Sequence, residues 1–384
     1  MKDKAMLMIP GPTPVPESVL LAMAQHPIGH RSGEFGKITG EINTGLQWLF
    51  QTQQPVLTLA ASGTGAMEAG IINFLSAGDK VLVGSNGKFG QRWADMAKAF
   101  GLEVQVISAE WGKPLDPAAF RSALEADSEK AIKAVVITHS ETSAAVLNDL
   151  AAINQAVKAH GESLIIVDAV TSLGAYDLKV DEMALDVVGS GSQKGFMIPP
   201  GLGFLTVSDK AWAAYDKATL PRFYFDLGKY RKSAAKDSTP FTPPVNLYFA
   251  LHAALKLMQE EGLEAIFARH RRHTNATRAA MKALSLPLLA ADDCASTAAT
   301  AVMPTGVEAE KIRSVMKQQF GIALAGGQDH LKGKIFRVGH LGFICDRDIL
   351  TTIASLEATL QTLGYDNFVP GSGVAAANQE LVPQ

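Results

Sequence analysis

The chain has 384 residues, and at roughly 150 residues per domain we expect two domains. Hydrophobic residues make up 47% of it and charged residues 19%, which argues against extended disorder and fits a globular protein. The 35 Lys and Arg residues nearly balance the 38 Asp and Glu residues, so the net charge of -3 creates no overall field for nucleic acid or an anionic membrane.

The cysteine content and the hydropathy pattern indicate a cytoplasmic protein. Cys294 and Cys345 are the only cysteines, too few for a disulfide framework or a thiolate cluster, and they suit a reducing compartment. The N-terminal stretch MKDKAMLMIPGPTPVP is broken early by prolines, unlike a signal peptide, and no segment reaches the ~18 apolar residues of a membrane span. We expect no metal site.

The first half of the chain alternates apolar runs of strand length with helical patterns, which predicts an α/β fold with a mostly parallel, seven-stranded sheet. Crossover helices are predicted at 66–75, 91–100, 117–126 and 148–160. The predicted strands are VLTLA from Val56, KVLVG from Lys80, VQVI from Val104, AVVIT from Ala134, LIIVD from Leu164, VVGSG from Val187 and GFLTV from Gly203.

The second half predicts a smaller α+β unit. Residues 218–244 are rich in aromatic, basic and proline residues and are expected to form a functional excursion or an interface arm. A long helical stretch over 245–284 has its natural break at Gly262. Strands at 297–303 and 334–338 alternate with helices at 308–320 and 346–363, and the tail after Tyr365 is expected to be weakly ordered. We therefore expect an N-terminal arm (1–20), a large domain (21–260) and a small C-terminal domain (261–384).

Three short motifs in the large domain suggest chemistry. In SGSQKG, Lys194 follows a turn of small residues at the end of a strand, where an amine that attacks an aldehyde would have room for close approach; a lysine on a surface loop is the alternative. In LIIVDAVTSLG, Asp168 ends an apolar strand, and such a carboxylate can face the nitrogen of a protonated pyridine ring or simply cap the next turn.

The third motif is SGTGAMEA, which leaves a strand and enters a helix. Ser62, Gly63 and Thr64 would bring free backbone amides and a hydroxyl to a phosphate, although tight packing of glycines against the sheet explains the motif equally well. The motif is neither a Walker loop nor GxGxxG.

These motifs, in this order, resemble those of class V aminotransferases, which are pyridoxal-phosphate enzymes of fold type I, and the chain is most similar to the alanine-glyoxylate and serine-glyoxylate enzymes. The resemblance covers nearly the whole chain. Besides the three motifs it includes PGPTPVP from Pro10, NGKFGQR from Asn86, THSETSAAVL from Thr138, PPG from Pro199, TPPV from Thr242 and FRVGHLG from Phe336.

The resemblance implies roles for individual residues. Lys194 would bind pyridoxal 5'-phosphate covalently and later move a proton, with Asp168 paired to the pyridinium nitrogen. Gly63, Thr64 and Gln193 would hold the phosphate, completed by Thr242 from the neighbouring subunit, so the active site would be shared within a homodimer.

Further roles follow from the same resemblance. Thr142 would lie beside the ring hydroxyl, and Phe89 would stack on the ring where relatives have tryptophan, unless it is an ordinary core aromatic. Arg337 would grip the substrate carboxylate, with an exposed strand arginine as the alternative. The roles of His30, Arg31 and His340 stay open.

The expected activity is transfer of an amino group from alanine or serine to glyoxylate or pyruvate by a ping-pong mechanism. Class V also contains cysteine desulfurases, which need a nucleophilic cysteine on a mobile loop ahead of the carboxylate-binding arginine. Here that loop, LAGGQDHLKGK from Leu324, carries no cysteine, so desulfurase activity is disfavoured. Two alternatives remain: an accessory subunit of a soluble hydrogenase without its own metal centre, since some relatives carry that label, and a fold retained only for binding.

Overall fold

The computed structural model describes residues 5–382, and the ends of the predicted arm and small domain, residues 1–4 and 383–384, lie outside it. In chain order the strands are β1 (Met6–Met8), β2 (Val56–Leu59), β3 (Lys80–Ser85), β4 (Glu103–Ser108), β5 (Ile132–Thr138), β6 (Ser140–Glu141), β7 (Val146–Leu147), β8 (Leu164–Asp168), β9 (Val187–Gly191), β10 (Gly203–Val207), β11 (Ala299–Val302), β12 (Ile322–Gly326) and β13 (Phe336–Gly339).

The helices lie between and after these strands. They are α1 (Glu17–Met23), α2 (Gly33–Phe50), α3 (Gly63–Ile72), α4 (Lys88–Ala99), α5 (Pro117–Glu125), α6 (Leu150–His160), α7 (Val180–Met183), α8 (Asp209–Tyr215), α9 (Leu227–Ala234), α10 (Val245–Glu261), α11 (Leu263–Ala283), α12 (Ala309–Phe320), α13 (Asp346–Thr362) and α14 (Ser372–Leu381), with a short 3-10 turn at Asp329–Leu331. No helix among residues 5–382 combines the length and apolar character needed to cross a membrane.

The larger sheet confirms the predicted seven strands, in the order β2-β10-β9-β8-β5-β3-β4. Neighbouring strands are parallel from β9 through β8, β5 and β3 to β4, while β10 runs antiparallel to both β2 and β9. These runs of Val, Ile and Leu form strands because both faces of the sheet are covered by helices. The fold class is therefore α/β with a mostly parallel sheet.

Successive residues along the central strand β8 bury in opposite cores. Ile165 and Val167 of β8 face a core shared with α2, α5, α6 and α10. Leu164 and Ile166 face the other core, which α3, α4, α8 and α9 cover. This two-sided burial fixes the register, since a slip of one residue would exchange the two faces.

A second sheet of four strands, in the order β1-β12-β13-β11, packs with α11 to α14 around a separate core. Strand β1, at the start of the described chain, pairs in parallel with β12, with Met6 opposite Ile322. The predicted interruption of the long helical stretch is confirmed, because α10 ends at Glu261 and α11 begins at Leu263, with φ +83° at Gly262 between them. The bounds of the predicted arm and domains stay a prediction.

One expectation is corrected, and another gains structural detail. The tail is not weakly ordered, because α14 packs on α11 and α13 and the buried Glu357 accepts hydrogen bonds from the backbone N–H groups of Gly371, Gly373 and Val374. The segment 218–244 contains α9, whose Leu227 and Tyr230 bury in the large-sheet core, while its role as a functional excursion or interface arm stays a prediction. Helices α9 and α14 are both stabilised by tertiary burial, and the local sequence pattern does not predict them.

Candidate active site

The predicted site residues gather at one edge of the large sheet, where β5, β8 and β9 end and where the chain turns from β2 into α3. Ligands of open α/β sheets bind at this edge. Eight predicted residues line a single pocket, and only Arg337 and Thr242 of the predicted set do not. The pocket is lined by Ser62, Gly63, Thr64, Met67, Phe89, Arg92, Ser140, Thr142, Asp168, Val170, Thr171, Gln193 and Lys194.

Lys194 extends into this pocket from the turn after β9. Its Nζ donates a hydrogen bond of 2.7 Å to the carbonyl oxygen of Pro10, and the Thr13 hydroxyl donates one of 2.9 Å to the Lys194 carbonyl. The N-terminal loop therefore closes over the lysine so tightly that a Cβ on Gly11 would lie 2.4 Å from Nζ. Lys194 is not a solvated surface lysine.

The environment of Lys194 favours the neutral amine. Removal from water lowers its pKa to about 8, the nearby Arg337 acts in the same direction, and Asp168 opposes them. An amine with a lowered pKa is a better nucleophile at neutral pH, because more of it carries a free electron pair.

Asp168, at the end of β8, is 3% exposed. Its Oδ1 accepts a hydrogen bond of 2.9 Å from the Val170 backbone N–H, so the carboxylate does cap the following turn, yet it also lines the pocket. Burial, assisted by the negative charge of Glu141, raises the pKa of Asp168 to about 6 against the opposing effects of Val170, Arg92 and Lys194. Asp168 is thus a buried carboxylate with too little positive charge around it.

The start of α3 forms an anion-binding corner of the pocket. Ser62 precedes the helix without capping it through its side chain, and the amides of Gly63 and Thr64 belong to the first turn, which has no intrahelical acceptors. A Cβ on Gly191 would lie 3.1 Å from the Gly63 Cα, so β9 and α3 approach closely. Gln193 also lines this corner, and the NH2 group of its side chain can donate hydrogen bonds. This corner suits a phosphate-sized anion.

Arg92 also lines the pocket, although it is not among the predicted site residues. Its Nη1 donates a hydrogen bond of 3.1 Å to the Thr64 hydroxyl, and its guanidinium carbon lies 4.9 Å from the centre of the Phe89 ring. The signal in NGKFGQR is the spacing of three residues between Phe89 and Arg92, which puts both on one face of α4. Phe89 is therefore an aromatic of the pocket and not of the core.

Arg337 lies beside the pocket on β13 and is 7% exposed, so it is not an exposed strand arginine. Its Nε and Nη2 donate to the Gly326 carbonyl at 3.1 and 2.8 Å, and its Nη1 donates to the Thr142 carbonyl at 2.7 Å. Burial lowers its pKa to about 10, while Glu141 opposes that effect. These bonds use three of the five guanidinium N–H groups and fix the plane of the rest.

Thr242 is exposed and does not reach the pocket of its own chain in the described structure, so its role across a subunit interface stays a prediction. Arg31 binds the segment that leads to it, by donating to the Ser238 hydroxyl and to the Thr239 carbonyl. His340 is buried between the Thr297 carbonyl and the Thr300 hydroxyl, which indicates a structural position. The role of His30 stays open.

The pocket thus combines an amine, an anion-binding corner, an aromatic wall and a buried carboxylate. This set suits a planar, anionic aromatic aldehyde whose ring nitrogen carries a proton.

Comparisons with known proteins agree with the fold and with this chemistry. The family model for class-V aminotransferases matches residues 6–339. The soluble hydrogenase small subunit of Synechococcus sp. (strain PCC 6716) is 69% identical, with 99% of both chains covered. The serine–glyoxylate aminotransferase of Methylorubrum extorquens is 38% identical, with 98% of this chain and 95% of that protein covered. The crystal structure of ureidoglycine-glyoxylate aminotransferase from Bacillus subtilis superposes with a TM-score of 0.91 at 30% identity and covers 99% and 98% of the two chains.

Proposed function

Because the chain belongs to the class-V aminotransferase family, we propose that it uses pyridoxal 5'-phosphate to move the amino group of alanine or serine to glyoxylate or pyruvate. The observation that carries this proposal is the convergence of Lys194, Asp168, Gly63 and Phe89 on one pocket, with Arg337 beside it. Two of the relatives described above share glyoxylate in their names and differ in the amino donor.

The residues present fit the cofactor. The amides of Gly63 and Thr64, together with Gln193, match a phosphate, and the phenyl ring of Phe89 offers a face to the pyridine ring. Asp168 forms no direct ion pair among the described residues, and burial outweighs the effects of Arg92 and Lys194 on its pKa; a protonated pyridine nitrogen would supply a partner of opposite charge. Bound pyridoxal phosphate would act as an electron sink for the carbon that loses a proton.

The chain's own residues would divide the remaining work. The Lys194 amine, with its lowered pKa, would first bind the aldehyde carbon and, once the donor has displaced it, would take and return the proton of the substrate carbon. Arg337 would orient the substrate carboxylate with its two remaining N–H groups, held in plane by Gly326 and Thr142. Asp168 would keep the ring nitrogen protonated.

A ping-pong order follows from one pocket serving two substrates. The donor would leave as an oxo acid before glyoxylate or pyruvate enters, and Arg337 would bind the carboxylate of each in turn. We further propose that the protein acts in the cytoplasm as a homodimer, in which Thr242 of each chain completes the phosphate site of the other.

The proposal is tested by a screen of alanine and serine against glyoxylate and pyruvate with cofactor-loaded protein. We expect turnover with parallel double-reciprocal plots, loss of turnover in Lys194→Ala, and full activity in the surface control Lys113→Ala, whose side chain is 69% exposed. Borohydride reduction followed by peptide mapping should label Lys194. A label on another lysine, or no turnover with any pair, would count against the proposal.

A second candidate is supported by the hydrogenase name of the relative at 69% identity. The chain would then associate with a hydrogenase as an accessory subunit. Affinity purification from the native cell tests this directly, since hydrogenase activity should co-purify with the tagged chain and be retained by Lys194→Ala. Association and aminotransfer are separable, because only the latter needs Lys194.

A further inference from the structure

Glu141, at the end of β6, is a fully buried carboxylate that the proposed reaction does not use. Its Oε2 accepts hydrogen bonds from the backbone N–H groups of Phe89 at 2.9 Å and Gly90 at 3.0 Å. Its Oε1 accepts from the Ser143 backbone N–H at 3.1 Å and from the Ser143 hydroxyl at 2.5 Å. Four donors therefore surround one side chain.

These bonds connect two loops at the edge of the large sheet. One is the entry to α4, which carries Phe89, and the other is the β6–β7 loop, which carries Thr142. The Ser143 hydroxyl adds a further link by accepting a bond of 2.9 Å from the Lys88 backbone N–H. The loops touch so closely that a Cβ on Gly87 would lie 2.3 Å from the Glu141 carboxyl carbon.

Both carboxyl oxygens of Glu141 have hydrogen-bond partners within the protein. Burial raises its pKa, and the hydrogen bonds from Ser143, Gly90 and Phe89 oppose that effect. Arg337 lies near enough for the two side chains to influence each other, since Glu141 favours the charged form of the guanidinium. A carboxyl group buried with this many donors holds its neighbours in one geometry, because each buried donor would lose its acceptor on moving.

Phe89 is held from two sides. Glu141 binds its backbone, and the Arg92 guanidinium lies over its ring while donating to the Thr64 hydroxyl. That bond from Arg92 occupies a lone pair of the hydroxyl and leaves its hydrogen free to donate to an anion. The aromatic wall and the anion-binding corner are thus joined through Arg92.

We infer that Glu141 is a positioning residue for the cofactor: it fixes Phe89 at the pocket so that the aromatic wall is in place before the cofactor binds. The inference rests on the proposed function only in taking pyridoxal phosphate as the occupant of the pocket. An aromatic wall that is already in place strengthens cofactor binding, because the binding free energy is then not reduced by the cost of ordering the entry to α4.

A double-mutant cycle tests this inference, with the dissociation constant of pyridoxal phosphate as the readout. Glu141→Gln keeps the shape of the side chain but replaces an acceptor with an amide NH2 that faces backbone donors. We expect it to weaken cofactor binding about tenfold or more in the wild-type background and less than about threefold in the Phe89→Leu background. Glu125→Gln, on the exposed face of α5, is the matched control and should bind as wild type does.

Equal weakening in both backgrounds would overturn the inference, because the effect would then not act through Phe89; unchanged binding in Glu141→Gln would overturn it as well. If Glu141→Gln does not fold, Ser143→Ala removes one donor and the link to Lys88, and the same cycle applies with a smaller expected effect. Absence of aminotransfer in the wild type would refute the proposed function, whereas the cofactor titration would still decide this inference.

Discussion

Replacing Asp168 with asparagine should stabilise the cofactor-free protein and weaken its hold on the cofactor. Burial raises the pKa of Asp168 from 3.8 to about 6. The folded state therefore keeps this proton to a higher pH than the unfolded chain does, so the free energy of unfolding falls as the pH rises from about 4 to 6. At ~1.36 kcal/mol for each unit of difference between the two pKa values, the ionised carboxylate costs about 3 kcal/mol at neutral pH.

The side chain introduced by Asp168→Asn would be neutral at every pH, and its amide oxygen can still accept from the Val170 N–H. Urea unfolding of both apoproteins should show the variant about 3 kcal/mol more stable at pH 7.5 and about 1 kcal/mol more stable at pH 4.5. The exposed Asp366→Asn serves as the control and should show no such dependence. With pyridoxal phosphate bound, the wild type should be more stable than Asp168→Asn, since only the wild type offers a counter-charge to the ring nitrogen. A variant of equal or lower stability without cofactor, with no dependence on pH, would refute the reasoning.

Three further predictions concern the lysine and its surroundings. Because the pKa of Lys194 is lowered to about 8, the rate at which the apoprotein captures pyridoxal phosphate should rise between pH 7 and 9, and stopped-flow absorbance that stays flat over this range would contradict it. Arg337→Lys should raise KM for both substrates about tenfold or more while cofactor affinity stays near that of the wild type, since an ammonium cannot reproduce the paired N–H groups of the guanidinium. Steady-state kinetics in which kcat falls and KM is unchanged would contradict this prediction. Gly11→Ala should cut kcat at least about tenfold, because its Cβ would collide with Nζ of Lys194 and its φ is +133°, whereas Gly29→Ala, with open space around it, should leave kcat unchanged.

The sequence predicts the large sheet well because its signals are local. Strand β8 is a short apolar run that ends at Asp168, and β9 leads into the turn that carries Lys194. Because the two strands are parallel, both ends lie at one edge of the sheet. Asp168 and Lys194 could be placed for the same reason. The family resemblance then supplied roles that the patterns alone left open.

The parts that sequence patterns do not predict depend on contacts between distant residues. Helix α14 lies within a tail rich in small residues, and its start is fixed by the carboxylate of Glu357 on α13. Helix α2 contains four glycines, which lower intrinsic helix propensity, yet its apolar face is buried in the core. Nothing in the sequence distinguishes Glu141 and Arg92 from other charged residues, because their contacts with Phe89 form only in the fold.

The N-terminal segment has a consequence for the order of events during synthesis. Strand β1 pairs with β12, and the loop that follows β1 closes over Lys194. Met6 leaves the ribosome early, but its partner Ile322 is made more than 300 residues later. The large sheet can assemble while the chain is still growing, whereas the cover over its lysine cannot be anchored through β1 until β12 has been translated. A nascent chain therefore has a complete sheet before it has a complete pocket.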